Sequence, residues 1–347
     1  MFLKNAWYVG ALSAEVGREL LAVKMLNENL VLYRKQDGTP VALEDSCPHR
    51  RLPLSMGRLI EDDVECGYHG LKFDCSGACS KAPGMARAPT SAVVRAYPCQ
   101  ERYGMVWVWM GEPGLAATQP LIDIPEWDNP AWGVNQGDAM EIACNYLYIT
   151  DNLLDPSHVS WVHQTSFGSD DLIGQPLKVN LGDEGVMVYR WLHDIEVAPF
   201  YKKFVKFSGR CDRKQQYEVR FPSLAVIRAV FTPAGTGGEE AELHPDVFLM
   251  DSYNLLTPID EKNTRYFWFQ LRNFSPNDEA VSQIFNEDVR FAFSEDKAVL
   301  EAVQIGMDAR PAALDLPADA GALRFRRRLQ QKIEAEATAA ATEPVSG

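Results

Sequence analysis

Histidine is scarce in this chain, with six in 347 residues, and cysteine is hardly commoner, with seven. An odd and sparse cysteine set (Cys47, Cys66, Cys75, Cys79, Cys99, Cys144, Cys211) excludes a disulfide scaffold and points to a reducing compartment. No apolar run approaches the ~18–20 residues of a membrane span, and the opening Met1-Phe-Leu-Lys-Asn-Ala-Trp-Tyr8 holds no stretch of signal-peptide length, so a cytoplasmic protein without membrane contact is expected. Internal repeats and glycine-rich nucleotide loops are also absent. A net charge of −14 argues against nucleic acid as a partner, because phosphate is met by Lys and Arg. It does not exclude an anionic small molecule, since one basic side chain can dominate inside a pocket. What the chain does have is length for two domains and 46% hydrophobic residues, enough for two cores.

The scarce residues are concentrated. Cys47-Pro-His49 is followed sixteen residues later by Cys66-Gly-Tyr-His69, giving Cys-x-His-x16-Cys-x-x-His. Two thiolates and two imidazoles interleaved as pairs suit a [2Fe–2S] centre in which one iron takes the sulfurs and the other the imidazoles; neutral imidazole removes negative charge and raises the potential. A Cys₂His₂ zinc site is the alternative, but zinc fingers place a Cys pair before a His pair rather than interleaving them. Cys75 and Cys79 flank a Ser76-Gly77 turn and are read as a structural strand–turn–strand, with a redox role as the lesser alternative.

Two of the remaining four histidines fall in one stretch, Asp151-Asn-Leu-Leu-Asp155-Pro-Ser-His158-Val-Ser-Trp-Val-His163. Five residues is about 140° around an ideal helix, so the helix must bend or end for both rings to reach one metal. Pro156 supplies a reason for such irregularity. Two ordinary half-buried histidines are the alternative. A mononuclear iron that activates oxygen commonly takes two His and one carboxylate. Helical phase selects Asp296, with Val289, Ala292, Phe293, Val299, Leu300 and Val303 at same-face positions, while Glu295 and Lys297 are expected to point away. An aspartate centred in an apolar stripe is costly unless paired or metal-bound, which favours a ligand over a helix cap after Ser294.

Residues 1–115 read as short strands between turns, with β-rich runs at Leu30–Arg34, Val41–Leu43 and Met105–Trp109. The Gly, Pro and Trp-rich stretch 116–135 reads as a linker. Residues 136–332 read as an α+β domain, with strand-like runs at Leu224–Phe231 and Arg265–Leu271 and a helical pattern from about 277 to 309. The Ala/Thr/Glu-rich residues 333–347 read as a disordered tail. Phe200, Tyr201, Phe204, Phe231 and Tyr253 are candidate pocket lining, or simple core.

The cluster motif Cys-Pro-His-Arg…Cys-Gly-Tyr-His-Gly, the opening Lys-Asn-Ala-Trp-Tyr-Val, the Asp-Asn-Leu-Leu-Asp-x-x-His-x4-His stretch and the Glu-Asp-Lys after it resemble the Rieske non-haem iron oxygenases over roughly residues 2–330. They look most like the aromatic O-demethylase branch, which includes vanillate and dicamba O-demethylases and toluenesulfonate methyl-monooxygenase. The resemblance implies an N-terminal antiparallel β domain with a [2Fe–2S] cluster on Cys47, His49, Cys66 and His69. It further implies a C-terminal α+β domain of helix-grip type, with an antiparallel sheet and mononuclear non-haem Fe(II) on His158, His163 and Asp296. Asp155 matches the aspartate that bridges an iron-ligand histidine to a Rieske histidine of the neighbouring subunit, which implies a homotrimer, and Asn152 matches an asparagine near the iron. Electrons from NAD(P)H would arrive through a separate flavin/[2Fe–2S] reductase, directly or through a ferredoxin. The implied function is a terminal oxygenase that uses O₂ on an aromatic substrate, foremost O-demethylation of a methoxy-arene. Methyl hydroxylation, N-dealkylation and ring dihydroxylation are alternatives, and from another class, a Rieske electron carrier without oxygenase activity. Ile227, Asn254 and Glu287 are the candidate substrate contacts; the last two stand where the dicamba branch has a histidine and a tryptophan.

Overall fold

In the computed structural model, which describes residues 1–342, the chain divides into two compact units. One comprises Met1–Ile122, Thr257–Asp260 and residues 336–342; the other comprises Asp123–Leu256 and Glu261–Ala335. The division between Ile122 and Asp123 falls within the stretch read as a linker, and short 3-10 helices lie at Pro113–Thr118 and Pro125–Asp128. Each of these starts on proline, whose missing N–H costs nothing there.

The first unit is built from three small sheets. Trp7–Leu12, Met105–Trp109 and Cys99–Arg102 form one, Leu21–Met25, Glu28–Arg34, Pro40–Glu44 and Ala96–Tyr97 a second, and Arg58–Ile60, Asp63–Glu65, Lys72–Phe73 and Cys79–Lys81 a third. Strand pairing is antiparallel throughout these sheets. Gly77 turns the chain between the last two of those strands at φ 82°, a conformation open to glycine at little cost. Val31, Tyr33, Leu43, Leu54, Val64 and Phe73 form a core that includes Cys47 and Cys66.

The second unit is organised by one seven-stranded antiparallel sheet. Its order is Gly133–Ile142, Thr264–Arg272, Phe248–Pro258, Leu224–Pro233, Cys211–Arg220, Gly185–Ile195 and Lys178–Leu181. Alternation along the strands sorts side chains onto two faces. In register across the sheet, Tyr217 stands beside Ile227 and Ile227 beside Ser252, while Asn254 follows two residues on. Among the described residues four α-helices accompany the sheet: α1 (Tyr146–Leu153), α2 (Val159–Val162), α3 (Glu279–Ala309) and α4 (Ala320–Thr342). The α+β class with an antiparallel sheet in the second unit is therefore as expected from the sequence.

Helix α3 starts at Asp278, whose carboxylate accepts from the Val281 amide at 3.1 Å. It buries Phe285, Val289, Ala292, Asp296 and Leu300, and is tied to the first strand of the sheet. Lys297 donates to the Glu141 carbonyl at 2.7 Å, and Glu301 and Gln304 accept from the amides of Ala143 and Asn145. The expected disordered tail needs correction. Residues 333–342 continue α4, in which Ile333 is buried and the Glu336 carboxylate accepts from the amides of Lys4 and Asn5, each at 2.8 Å. Alanine-rich composition here reflects helix propensity. Residues 343–347 lie outside the described part. Among the described residues no helix is long and apolar enough to cross a membrane.

Candidate metal centres

The Cys-x-His and Cys-x-x-His segments form two turns with the same backbone bonding. In the first, the Cys47 amide donates to the Leu52 carbonyl at 2.9 Å and the Arg51 amide to the Cys47 carbonyl at 2.8 Å. In the second, the Cys66 amide donates to Leu71 at 2.8 Å and the Gly70 amide to Cys66 at 3.1 Å. The fifth residue of each turn is left-handed, Arg51 at φ 59° and Gly70 at φ 70°. A Cβ on Gly57 would lie 2.1 Å from the Glu65 carbonyl oxygen, so the chain leading from the first turn packs directly on the strand leading into the second. Asp45 steadies that chain by accepting from the Ser55 amide at 2.7 Å and its hydroxyl at 2.6 Å.

The four donors are sorted by burial. Cys47 and Cys66 are buried, His49 and His69 are exposed, and the two imidazoles approach to 4.5 Å between centroids. Burial pushes the Cys47 thiol above its ordinary value, and the Cys66 thiol beside it adds to the rise. Two thiols paired inside and two imidazoles paired outside fit a [2Fe–2S] group, which Cys47 and Cys66 would hold through sulfur and His49 and His69 through nitrogen. Cys75 is exposed, and the Cys79 thiol points to the Lys81 carbonyl at 3.4 Å.

The second centre forms where the helix after Asn145 fails. Asn145 caps α1, accepting from the Leu147 amide at 2.8 Å, and α1 ends at Leu153, three residues before Pro156. Only one turn, α2, follows, with His158 just before it and His163 just after it. The helix thus breaks, as the 140° phase mismatch demanded. Both Nε2 atoms then face one carboxylate oxygen: His163 Nε2 lies 3.2 Å and His158 Nε2 3.6 Å from Asp296 Oδ1. The candidate ligand atoms of the three residues all lie within 4.8 Å of one another. Asn152 Nδ2 donates to the same Oδ1 at 3.2 Å. Behind it, Arg326 of α4 grips both carboxylate oxygens of Asp151.

The other imidazole nitrogens are occupied. His158 Nδ1 meets the Asp155 carbonyl at 2.5 Å, while the Asp155 carboxylate accepts from the Ser157 amide at 2.8 Å. Within the chain, then, Asp155 orients His158 through its backbone oxygen. His163 Nδ1 meets Glu295 Oε2 at 2.9 Å, so Glu295 does not point away; only Lys297 does. Burial pulls the His163 pKa down, but the Asp296 and Glu295 carboxylates outweigh it and leave it above the ordinary value. The group asks for positive charge, and its two Nε2 atoms with one carboxylate oxygen fit a divalent iron.

A pocket of about 590 Å³, including its mouth, opens onto these ligands. Its apolar walls include Leu153, Phe167, Tyr201, Ile227, Met250, Val289 and Phe293, and its polar groups include Tyr217, Ser252 and Asn254. Asn254 is fixed by its neighbours, accepting from the Tyr266 hydroxyl at 2.8 Å and donating to the Ser252 carbonyl at 3.0 Å. Of the candidate substrate contacts, Ile227 and Asn254 line this pocket and Glu287 does not. Nine residues is two and a half turns, about 180° from Asp296, and Glu287 is exposed, accepting from Gln283 at 2.9 Å. Of the candidate aromatic lining only Tyr201 faces the pocket. Phe200, Phe204 and Phe231 pack in the adjoining core, and Tyr253 stacks on Phe269 at 4.9 Å. Arg326 and the Glu295 contact carried no signal in helical phase; only the adjacency of Glu295 to Asp296 hinted at the latter.

Residues 6–98 match the Rieske [2Fe-2S] domain, and residues 142–335 match the vanillate O-demethylase oxygenase C-terminal domain. The toluene-4-sulfonate monooxygenase system iron-sulfur subunit of Comamonas testosteroni is 36% identical over 97% of this chain and 98% of its own length. The vanillate O-demethylase oxygenase subunit of a Pseudomonas species is 34% identical over 98% of this chain and 97% of its own. The crystal structure of dicamba monooxygenase bound to 3,6-dichlorosalicylic acid superimposes with a TM-score of 0.88 at 30% identity, covering 97% of this chain and 99% of that one.

Proposed function

The chain belongs to the Rieske oxygenase components that carry the vanillate O-demethylase C-terminal domain, and we propose that it O-demethylates a methoxy-arene as the terminal oxygenase of a multicomponent system. The observation that carries this reading is the convergence of His158 Nε2, His163 Nε2 and Asp296 Oδ1 at an apolar pocket, in a chain that also bears the paired Cys/His turns. Cys47, Cys66, His49 and His69 hold the cluster, and His158, His163 and Asp296 hold the iron. When bound, the cluster supplies electrons singly and the iron supplies activation of O₂ for hydroxylating the methyl C–H. The hydroxylated ether is a hemiacetal that falls apart to a phenol and formaldehyde.

The chain's own residues do the rest. Asp155 and Glu295 hold the Nδ1 sides of the two histidines so that both Nε2 lone pairs face inward. Asn152 donates to Asp296 and fixes the carboxylate's orientation. Phe167, Tyr201, Ile227 and Met250 exclude water and stack on or enclose an aromatic ring, while Ser252 and Asn254 offer hydrogen bonds to its polar substituents. Electrons originate on NAD(P)H and enter through a separate reductase, since this chain has no nucleotide loop.

A homotrimer completes the site. Trp161, 65% exposed between the two metal-facing histidines, and Phe291, 55% exposed on α3, support a surface covered by a second copy. The exposed His49 and His69 of that copy would meet it, with the Asp155 carboxylate as the bridge.

N-dealkylation of a neutral aromatic is the second reading. Among the described residues lining the pocket there is no lysine or arginine, which favours a neutral aromatic under either reading. Methoxy-, methyl- and N-methyl-arenes, each as neutral and carboxylated forms, supplied with a surrogate reductase, test both readings. Formaldehyde released from a methoxy-arene in step with NADH consumed is the expected result. Formaldehyde from the N-methyl compounds alone supports the second reading, a retained benzylic alcohol means hydroxylation, and failure to consume O₂ with any of them overturns both.

A further inference from the structure

The two imidazoles that face Asp296 differ at their second nitrogens. His158 Nδ1 meets a neutral backbone carbonyl three residues earlier in the chain, that of Asp155. His163 Nδ1 meets the carboxylate of Glu295, 132 residues away in sequence, at 2.9 Å. Glu295 and Asp296 are consecutive on α3, about 100° apart around the helix axis. Between them they grip one ring from two edges, Asp296 Oδ1 lying 3.2 Å from Nε2 and Glu295 Oε2 lying 2.9 Å from Nδ1. The orientation of His163 is therefore set by α3, and that of His158 by its own loop.

We propose that Glu295 is a positioning residue of the metal centre, making His163 the stronger and more rigid of the two nitrogen ligands. The inference rests on the reading that His158, His163 and Asp296 hold iron. An Nδ1–H donated to a carboxylate fixes the tautomer with its lone pair on Nε2, and it pushes electron density toward that atom. A carbonyl acceptor fixes the tautomer as well, but without the charge. Glu295 also brings a second negative charge beside Asp296, so that a ferrous ion is balanced by two carboxylates rather than one. The His163 side chain is 5% exposed and that of Glu295 25%, so the hydrogen bond is partly shielded from water.

Glu295→Gln keeps the shape and one acceptor oxygen but removes the charge; Glu295→Ala removes the acceptor altogether. Both are compared with the intact enzyme for the rate at which a ferrous chelator extracts iron, with the iron content of Asp296→Ala as the reference for a site that holds none. The EPR spectrum of the nitric oxide adduct of the ferrous site is recorded in parallel, with visible cluster absorption as the control for folding. The expected result is iron loss about tenfold faster in Glu295→Gln and about a hundredfold faster in Glu295→Ala, within the range for residues that orient metal ligands. The nitrosyl spectrum should shift in both while cluster absorption stays unchanged. Intact-enzyme extraction rates and an unshifted spectrum in Glu295→Gln overturn the role assigned to Glu295. If instead the intact enzyme carries only the two cluster irons and Asp296→Ala changes nothing, the iron assignment itself has failed.

Discussion

The chain contains two histidine pairs, and they are built by opposite means. His49 and His69 stand on the surface of the first unit, on turns whose shape is set by two backbone hydrogen bonds each. His158 and His163 line a pocket in the second unit, and beyond the local Asp155 carbonyl on His158 their rings are fixed by distant side chains: the Glu295 carboxylate and the Asp296 oxygen between them. A site made by backbone is a property of one short segment and tolerates change in neighbouring side chains. A site made by side chains depends on residues scattered along the sequence, and each neighbour becomes a point at which it can fail.

The largest effect is expected where the second centre loses its shared oxygen. Asp296→Ala should abolish binding of the mononuclear iron and all turnover, leaving cluster absorption intact, as read by iron analysis and visible spectroscopy. Retained activity would mean that another carboxylate, with Glu295 first in line, completes the site. Next comes Asp155→Asn. It preserves the carbonyl that orients His158, so any loss belongs to the carboxylate and to its proposed bridging role between subunits. Turnover should fall about a hundredfold, with both metals and the oligomer retained and reduced cluster accumulating in single-turnover kinetics. Wild-type reoxidation of the cluster would mean that electrons take another route.

A smaller effect should follow at the first centre. His69→Cys replaces a surface imidazole with a thiolate on an unchanged turn, so a cluster should still form but at a lower potential, measured by voltammetry. Complete loss of the cluster would show that the imidazole, and not the backbone turn, shapes that site.

The difference in construction also decided what could be read from the sequence. The cluster motif lies within 23 consecutive residues, 47 to 69, and its four candidate ligands could be proposed from spacing. Asp296 was legible because a charged residue inside an apolar stripe breaks the pattern of α3, and the break between α1 and α2 because two histidines five apart cannot share a helix face. Glu295 was not, because phase assigns it to the exposed side, and only the distance to His163 reveals that a long side chain reaches back. Glu287 was misassigned for a related reason: matching it to a position in other proteins ignored that nine residues along a helix reverse its face. The tail failed differently, since Ala, Thr and Glu describe a solvated helix as well as a disordered segment, and the anchoring of Glu336 on the amides of Lys4 and Asn5 is invisible in one dimension.

The smallest effect tests whether the cluster turns are set by backbone at all. Their fifth residues adopt the same left-handed conformation, but one is Gly70 and the other Arg51. A residue with a Cβ there costs roughly 1–2 kcal/mol, and glycine returns part of that by its greater freedom in the unfolded chain, roughly 0.5–1 kcal/mol. The Arg51 side chain is 70% exposed and reaches Glu44 only at 3.8 Å, a contact worth about 0–1 kcal/mol. These terms nearly cancel, so Arg51→Gly should shift the melting temperature, followed through cluster absorption, by no more than about 2–4 °C in either direction. The reverse change at the twin position should not be neutral. Gly70→Ala keeps the strained φ and sets a Cβ 3.2 Å from Pro83, so it should cost about 1–2 kcal/mol and lower the same transition. If Arg51→Gly destabilises the cluster more than Gly70→Ala does, the guanidinium side chain is holding the first turn, and the two turns are alike in shape but not in what maintains them.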